Sequence, residues 1–457
     1  MSTPRATDRS ISTVATRKDS SSAETCAGNE RNEKGGTWTA PDEAPDGGLI
    51  AWFMVLGAWC VLFCSFGWIN SIGEFQAYYE QNLLRQYSSG KISWIPSLQI
   101  FFMFAMGPIA GQIYDRLGPR YLLLSGSLLH VFGLMMTSIS KRYYQILLSQ
   151  GVCSAIGVAA IFQAAVSCIP SWFSKKRGAV YGIVSSGSSI GGVIFPIMIS
   201  KLIRILGFPW TMRICALMIL FLLIVANLTV RSRLPPNPRK LSKESLMRPF
   251  HESKTMLLIA GFFTLTFGIF VPMNYFVTAA MADGMGRNFA EYLVAILNAG
   301  SLFGRLGAGV FADKMGSYNI FVVVTYIAGI LVLALWISAS NNAGTIVFAV
   351  LFGFATGAYV ALAPGLVVKL SPFAEVGYRT GLLFLFASIS GLTTNPIAGA
   401  ILQHSGGSYT GMKIFSGVLL IVGSTLVLGG ASFSIYTSLF TTSLEIAKFA
   451  RFFIESH

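Results

Sequence analysis

One residue in the run from Tyr292 to Ala312 is charged, Arg305. A guanidinium inside so apolar a segment costs at least a few kcal/mol and must face a cavity or a partner. Its planar donor fork suits a carboxylate, so the chemistry expected of Arg305 is contact with an anion; the alternative is an anchor that lies above Asp313 and snorkels to the membrane surface. Of the nineteen Asp and Glu residues only Glu74 falls near the interior of an apolar run, which leaves Glu74, His130 and Arg305 as the ionisable groups that a proton relay could use. His130 also reads as a packing residue, and Glu74 as an exposed loop acid. Cys26, Cys60, Cys64, Cys153, Cys168 and Cys215 have no paired or metal-ligand spacing, and the four histidines are scattered. No metal, cofactor or catalytic residue is expected, and no nucleophile–base pair argues for an enzyme.

A second pattern occurs twice. Gly107 to Arg120 reads GPIAGQIYDRLGPR and Gly304 to Ser317 reads GRLGAGVFADKMGS, and both contain Gly-x-x-x-Asp-basic-x-Gly, through Gly111, Asp115, Arg116 and Gly118, then Gly309, Asp313, Lys314 and Gly316. Glycine lets two helices approach, an Asp at a helix end can accept bonds from a neighbouring helix, and the basic residue stays among the headgroups. Asp115, Arg116 and Arg120, with Asp313 and Lys314 in the second copy, are therefore the candidate gating residues. The copies lie six apolar segments apart, which predicts a two-fold repeat.

The elements that position these residues follow from composition. With 53% apolar and 11% charged residues in a chain of 457, the sequence is a membrane protein. Uncharged stretches such as Leu49 to Gly73, Ile92 to Tyr114, Gly178 to Ser200, Thr255 to Ala282, Ser317 to Asn342 and Gly381 to Gln403 exceed the roughly 20 residues that span a bilayer. Runs broken by one polar residue bring the number to about twelve, all helical because lipid offers the backbone no hydrogen bonds. The net charge of +14 is spread between spans, without the basic module that nucleic acid would need. With both termini cytoplasmic, Lys175, Lys176, Arg177, the cations from Arg231 to Lys254, Lys369 and Arg379 fall inside, as the positive-inside rule requires. The expected organisation is a disordered tail over 1–45, a six-helix bundle over 46–230, a cytoplasmic linker over 231–254, a second bundle over 255–436, and a tail over 437–457 with amphipathic spacing.

The glycines and serines of WFSKKRGAVYGIVSSGSSIGGVIFP (Trp172 to Pro196) give the fifth span a flat face for close packing and weak interhelical bonds. Together with PDGG (Pro45 to Gly48), YRTGLLFLFASISGLTTNPIAG (Tyr378 to Gly399) and the first loop motif, this segment resembles the major facilitator superfamily, and within it the fungal branch of the monocarboxylate porter family. The resemblance runs from about Pro45 onward. It implies twelve helices in two six-helix bundles around a central cavity, with alternating access. Relatives of the mammalian type carry a lysine at a position that falls near Asn70 and an Asp/Arg pair that falls near Ser301 and Arg305, so of that charged set only Arg305 is present.

The reading is thus an all-α membrane protein of the major facilitator fold, a monomer in the plasma membrane, that moves a small organic anion or an amphiphilic metabolite. The expected substrate is a monocarboxylate-like organic acid; the alternatives are efflux of a cluster-made secondary metabolite and a non-transporting sensor on a carrier fold. Arg305, Asn70, Tyr275, Asn298 and Asn395 are the candidate substrate contacts, the last four as polar residues deep in spans.

Overall fold

Hydropathy dictates spanning helices, and a computed structural model, which describes residues 44–234, 243–290, 292–339 and 341–430, contains helices and no strand among those residues. Nearly all of the expected N-terminal tail, the C-terminal tail and the middle of the linker lie outside them. In chain order the spans are α1 Leu49–Leu83, α2 Gly90–Leu117, α3 Pro119–Ile139 and α4 Tyr143–Trp172. A continuous helical segment, Arg177–Thr229, follows. Its 53 residues exceed any bilayer, and Gly207, at φ 76 and ψ 167, breaks it into α5 (177–206) and α6 (208–229). The second half comprises α7 Ser253–Ala282, α8 Leu293–Met315, α9 Ser317–Trp336, α10 Asn342–Leu370, α11 Phe373–His404 and α12 Thr410–Gly430. Apolar side chains such as Phe221 and Phe303, 66% and 67% exposed, form an outer surface that only lipid would cover.

The two loop motifs fold alike. Gly118 (φ 75) ends α2 and Gly316 (φ 91) ends α8, each in a left-handed conformation that lets the next span begin at once. The halves meet where α5 packs on α8 and α2 on α11.

Two expectations change. The first span, expected to end at Gly73, continues to Leu83 because Tyr78 stacks on Phe208 at 5.0 Å and Gln76 donates to Glu80 at 3.0 Å. Glu74 therefore sits on a helical extension at the membrane edge. The linker, expected as a loop, contains a helix over Lys243–His251, supported by the Arg248–Glu252 pair at 3.2 Å and by the Tyr378 hydroxyl, which donates to the Leu246 carbonyl at 3.1 Å.

Candidate functional site

A helix leaves its first backbone N–H groups without partners, and α5 and the α11 helix from Val376 both begin without any side-chain cap of their own. The caps come from the opposite half. Asp115, near the end of α2, accepts the N–H of Gly377 at 3.0 Å and of Tyr378 at 2.9 Å. Asp313, near the end of α8, accepts the N–H of Gly178 at 2.6 Å and of Ala179 at 2.8 Å. In each case the acceptor is the motif aspartate and the donors are the second and third residues of the receiving helix. The two clamps are thus related as the two sequence motifs are.

Glycine makes the approach possible. A Cβ on Gly178 would lie 2.6 Å from the Gly309 carbonyl oxygen, and one on Gly107 would lie 2.7 Å from that of Gly381. Eight residues before each motif aspartate stands the equivalent residue of the repeat: Gly107 in the first half, Arg305 in the second. Gly182 packs on the Arg305 backbone as Gly381 packs on Gly107. The same repeat position therefore serves as a bare contact in one half and carries a guanidinium in the other.

Of the expected gating residues, the structure joins Asp115 and Asp313 to the seam and leaves out the cations. Arg116, Arg120 and Lys314 make no hydrogen bond or ion pair among the described residues, and the buried Arg116 Nε has no partner. The reason is that a helix N-terminus already supplies N–H donors and the positive end of the helix dipole, so a carboxylate there needs no cation.

Three further groups at this face are not among the expected site residues. Asp46, quoted only as part of PDGG, accepts the N–H groups of Ser174, Lys175 and Lys176 at 2.8, 2.9 and 3.2 Å, pinning the turn that enters α5. Slight burial raises its carboxyl pKa, but these three bonds prevail and hold it below the ordinary value. Arg379, expected as a loop cation, is 2% exposed; it bonds Glu375 at 2.9 Å and grips Glu252 through two bonds, at 2.5 and 3.0 Å. Those bonds from Arg379 hold the Glu252 carboxyl below its usual range. Gln163 donates to the Gly377 carbonyl at 2.9 Å, adding α4 to the same junction. A buried polar residue in an apolar span was the one sequence signal available for it.

Behind the clamps lies a cavity of about 120 Å³ between the halves. Its wall includes Phe66, Phe104 and Phe162 from the first half and Phe262, Phe270 and Phe384 from the second. Phe384 stacks on Phe104 at 5.3 Å and meets Phe162 edge-on at 5.3 Å, so aromatic faces cross the seam. Met273, also on the wall, is 41% exposed and lies toward the end of α7 remote from the linker.

Arg305 is the one charged side chain on this wall among the described residues. Its Nε donates to Ser301 Oγ at 3.1 Å and its Nη1 to the Ser185 carbonyl at 2.7 Å and to Ser188 Oγ. Those acceptors are neutral, no carboxylate pairs with Arg305 among the described residues, and Nη2 has no protein partner there. A buried cation with a spare donor edge can receive an anion entering the cavity.

Asn70 and Asn298 also line the cavity, with Asn298 Nδ2 3.5 Å from Asn70 Oδ1 across the seam. Asn70 lies where α1 is interrupted by a turn, so its side chain reaches the space between the halves. Tyr275 and Asn395 do not line it: the Tyr275 hydroxyl donates to the Asn395 carbonyl at 3.0 Å and Asn274 Nδ2 to Asn395 Oδ1 at 2.8 Å, which ties α7 to α11. Depth in a span says nothing about which side of the helix a residue occupies. His130 is fully buried between α3 and α4, with Nδ1 2.9 Å from Ser154 Oγ, and takes no part in the cavity wall. Of the serines on α5, Ser186 accepts from Trp59 Nε1 at 3.1 Å and Ser189 donates to Ser301 at 3.3 Å, while the Ser185 and Ser188 hydroxyls donate within their own helix.

Residues 49–345 match the family model described as Major Facilitator Superfamily. The chain is 58% identical over 418 residues to the MFS transporter asaE of Aspergillus flavus, covering 91% of this chain and 93% of that one. It is 53% identical over 392 residues to the fujikurins efflux protein of Gibberella fujikuroi, covering 85% and 84%. Among solved structures, the E. coli fucose:proton symporter superposes with a TM-score of 0.66 at 15% identity, over 82% of this chain and 98% of that one, a likeness of fold.

Proposed function

Because the chain belongs to the Major Facilitator Superfamily, a family of multi-pass membrane transporters, we propose that it is an efflux carrier for an amphiphilic, weakly acidic secondary metabolite, moved by alternating access. The observation that carries the reading is Arg305, a buried guanidinium with a spare donor edge in a cavity otherwise lined, among the described residues, by uncharged and mostly apolar side chains, six phenylalanines among them. Such a wall favours a substrate with an apolar or aromatic body and a single anionic group. A small hydrophilic monocarboxylate would leave six phenylalanines without a partner, so the organic-acid reading narrows to an acid with a large apolar portion. A relative at 53% identity that is named for efflux supports export over uptake. With the linker face cytoplasmic, as the distribution of cations favours, the clamps close the side from which an exporter loads.

Arg305→Gln should reduce transport of acids about tenfold or more, since a hydrogen bond to a charged group contributes about 1.5–3 kcal/mol. Arg305→Lys keeps the charge, loses the fork, and should fall between. The measurement is flux of a panel of aromatic acids and their methyl esters in proteoliposomes, with the amount of folded protein determined in parallel. Acid flux in Arg305→Gln equal to that of the parent chain would refute the anion contact.

A further inference from the structure

A second cavity, of about 230 Å³, opens on the linker face where the first turn of α5 meets the turn between α8 and α9 and the end of α10. Among the described residues Lys175, Arg177 and Lys369 line it with a single carboxylate, Asp313. Both oxygens of that carboxylate are already taken by the N–H groups of Gly178 and Ala179, so its charge is directed at the α5 terminus. The space is left with a surplus of cationic side chains, an arrangement that draws anions from solution. Its wall also includes Tyr181, and Tyr181 is a wall residue of the central cavity too. The ring fits against Gly365 of α10, whose added Cβ would sit 3.6 Å from ring carbons, and the hydroxyl donates to the Val166 carbonyl of α4 at 3.4 Å. One aromatic side chain thus stands between a basic chamber open to the linker face and the chamber that contains Arg305.

We propose that the linker-face cavity is an antechamber that captures the anionic end of the substrate, and that Tyr181 is the partition which the substrate passes on its way to Arg305. The inference rests on the efflux reading above, and gives it a loading site. Clamp, antechamber and partition share the first two turns of α5: Arg177 supplies charge, Gly178 and Ala179 are held by Asp313, and Tyr181 closes the passage. Release of Asp313 would free the helix segment that carries the partition, so opening of the seam and joining of the two chambers become one movement.

The test uses full-length protein in proteoliposomes, with reagents added at the linker face. Ser174→Cys places a thiol on the antechamber wall. Its rate of modification by anionic 2-sulfonatoethyl methanethiosulfonate, divided by that with the cationic trimethylammonium-ethyl reagent and normalised to a small free thiol, reads the local potential. The ratio should exceed one, and should fall about fivefold when Arg177→Gln and Lys369→Gln are combined, the effect expected for removing two charges at roughly 8 Å with partial screening. A ratio at or below one, or one unmoved by the two substitutions, overturns the antechamber.

In a second arm, Thr356→Cys reports on the central cavity. Tyr181→Ala should admit linker-face reagent to that thiol, while Tyr181→Phe, which keeps the ring, should not. Failure of Tyr181→Ala to admit reagent in folded protein overturns the partition. Neither reagent measurement involves Arg305, so normal acid flux in Arg305→Gln with an intact reagent ratio refutes the central anion contact alone. Loss of the ratio with a defective Arg305→Gln refutes the antechamber alone.

Discussion

Asp313→Asn tests the clamp on its own terms. The carboxylate accepts two backbone N–H groups at the start of α5, at 2.6 and 2.8 Å. A hydrogen bond to a charged acceptor contributes about 1.5–3 kcal/mol and a neutral one about 0.5–1.5, so neutralising the acceptor weakens each bond by about 1 kcal/mol. The amide also has one acceptor oxygen for two donors, and its NH2 faces the second N–H. In the open state water serves both α5 groups equally well in parent and variant, so the loss falls on the closed state. About 2 kcal/mol shifts the equilibrium toward the open linker face about thirtyfold. Asp115→Asn should act alike, because its bonds to Gly377 and Tyr378 have the same form. The double variant should add the two effects, since the clamps share no partner. Nitroxide labels at Arg120→Cys and Lys314→Cys, exposed sites on opposite halves, would report the opening as a new, longer distance in pulsed dipolar spectra. An unchanged distance distribution in both single variants and the double would refute the clamp and reduce the motif to a membrane anchor.

Further outcomes follow from the same face. Gly381→Ala puts a Cβ on the Gly107–Pro108 backbone and should open the linker face in the same spectra, as overpacking costs about 1–3 kcal/mol; Gly73→Ala, with nothing within 4 Å of the new carbon, should leave them unchanged. Arg379→Gln removes the partner of Glu375, which is 7% exposed, and of Glu252, and should cost roughly 3 kcal/mol or more, read as a fall in the melting temperature of the purified protein. The Arg379 bonds hold the Glu252 carboxyl below its ordinary value of 4.5 in the folded chain, so its contribution is complete above that pH and lost as pH falls through the folded value. Melting curves from pH 7 to 3.5 should therefore show an acid-side decline that is shallower in Glu252→Gln; equal slopes would refute the linkage.

Hydropathy is a property of each segment alone, and so the spans, the repeat and the cation deep in α8, Arg305, could be read from the chain. A helix that must satisfy its backbone in lipid has few alternatives, whatever its neighbours. The extension of α1 to Leu83 and the helix over Lys243–His251 were less legible, because each depends on contacts with another element: Phe208 for α1, Tyr378 and Glu252 for the linker.

Partners were decided by the docking of one half on the other. Asp115 and Asp313 stood out from their spacing as acceptors for a neighbouring helix, but which helix was left open, and the structure gave them the N-termini of α11 and α5 in the opposite half. Asn70, Tyr275, Asn298 and Asn395 looked equivalent as polar residues deep in spans. Two face the cavity and two bind α7 to α11, because the rotation of each helix about its axis is set by packing and leaves little mark in an almost uniformly apolar segment. Arg305 was identifiable by its cost in lipid. That its guanidinium would find only serines and a carbonyl, and keep one donor edge free, depends on α5 presenting Ser185 and Ser188 across the seam, a matter of tertiary structure alone.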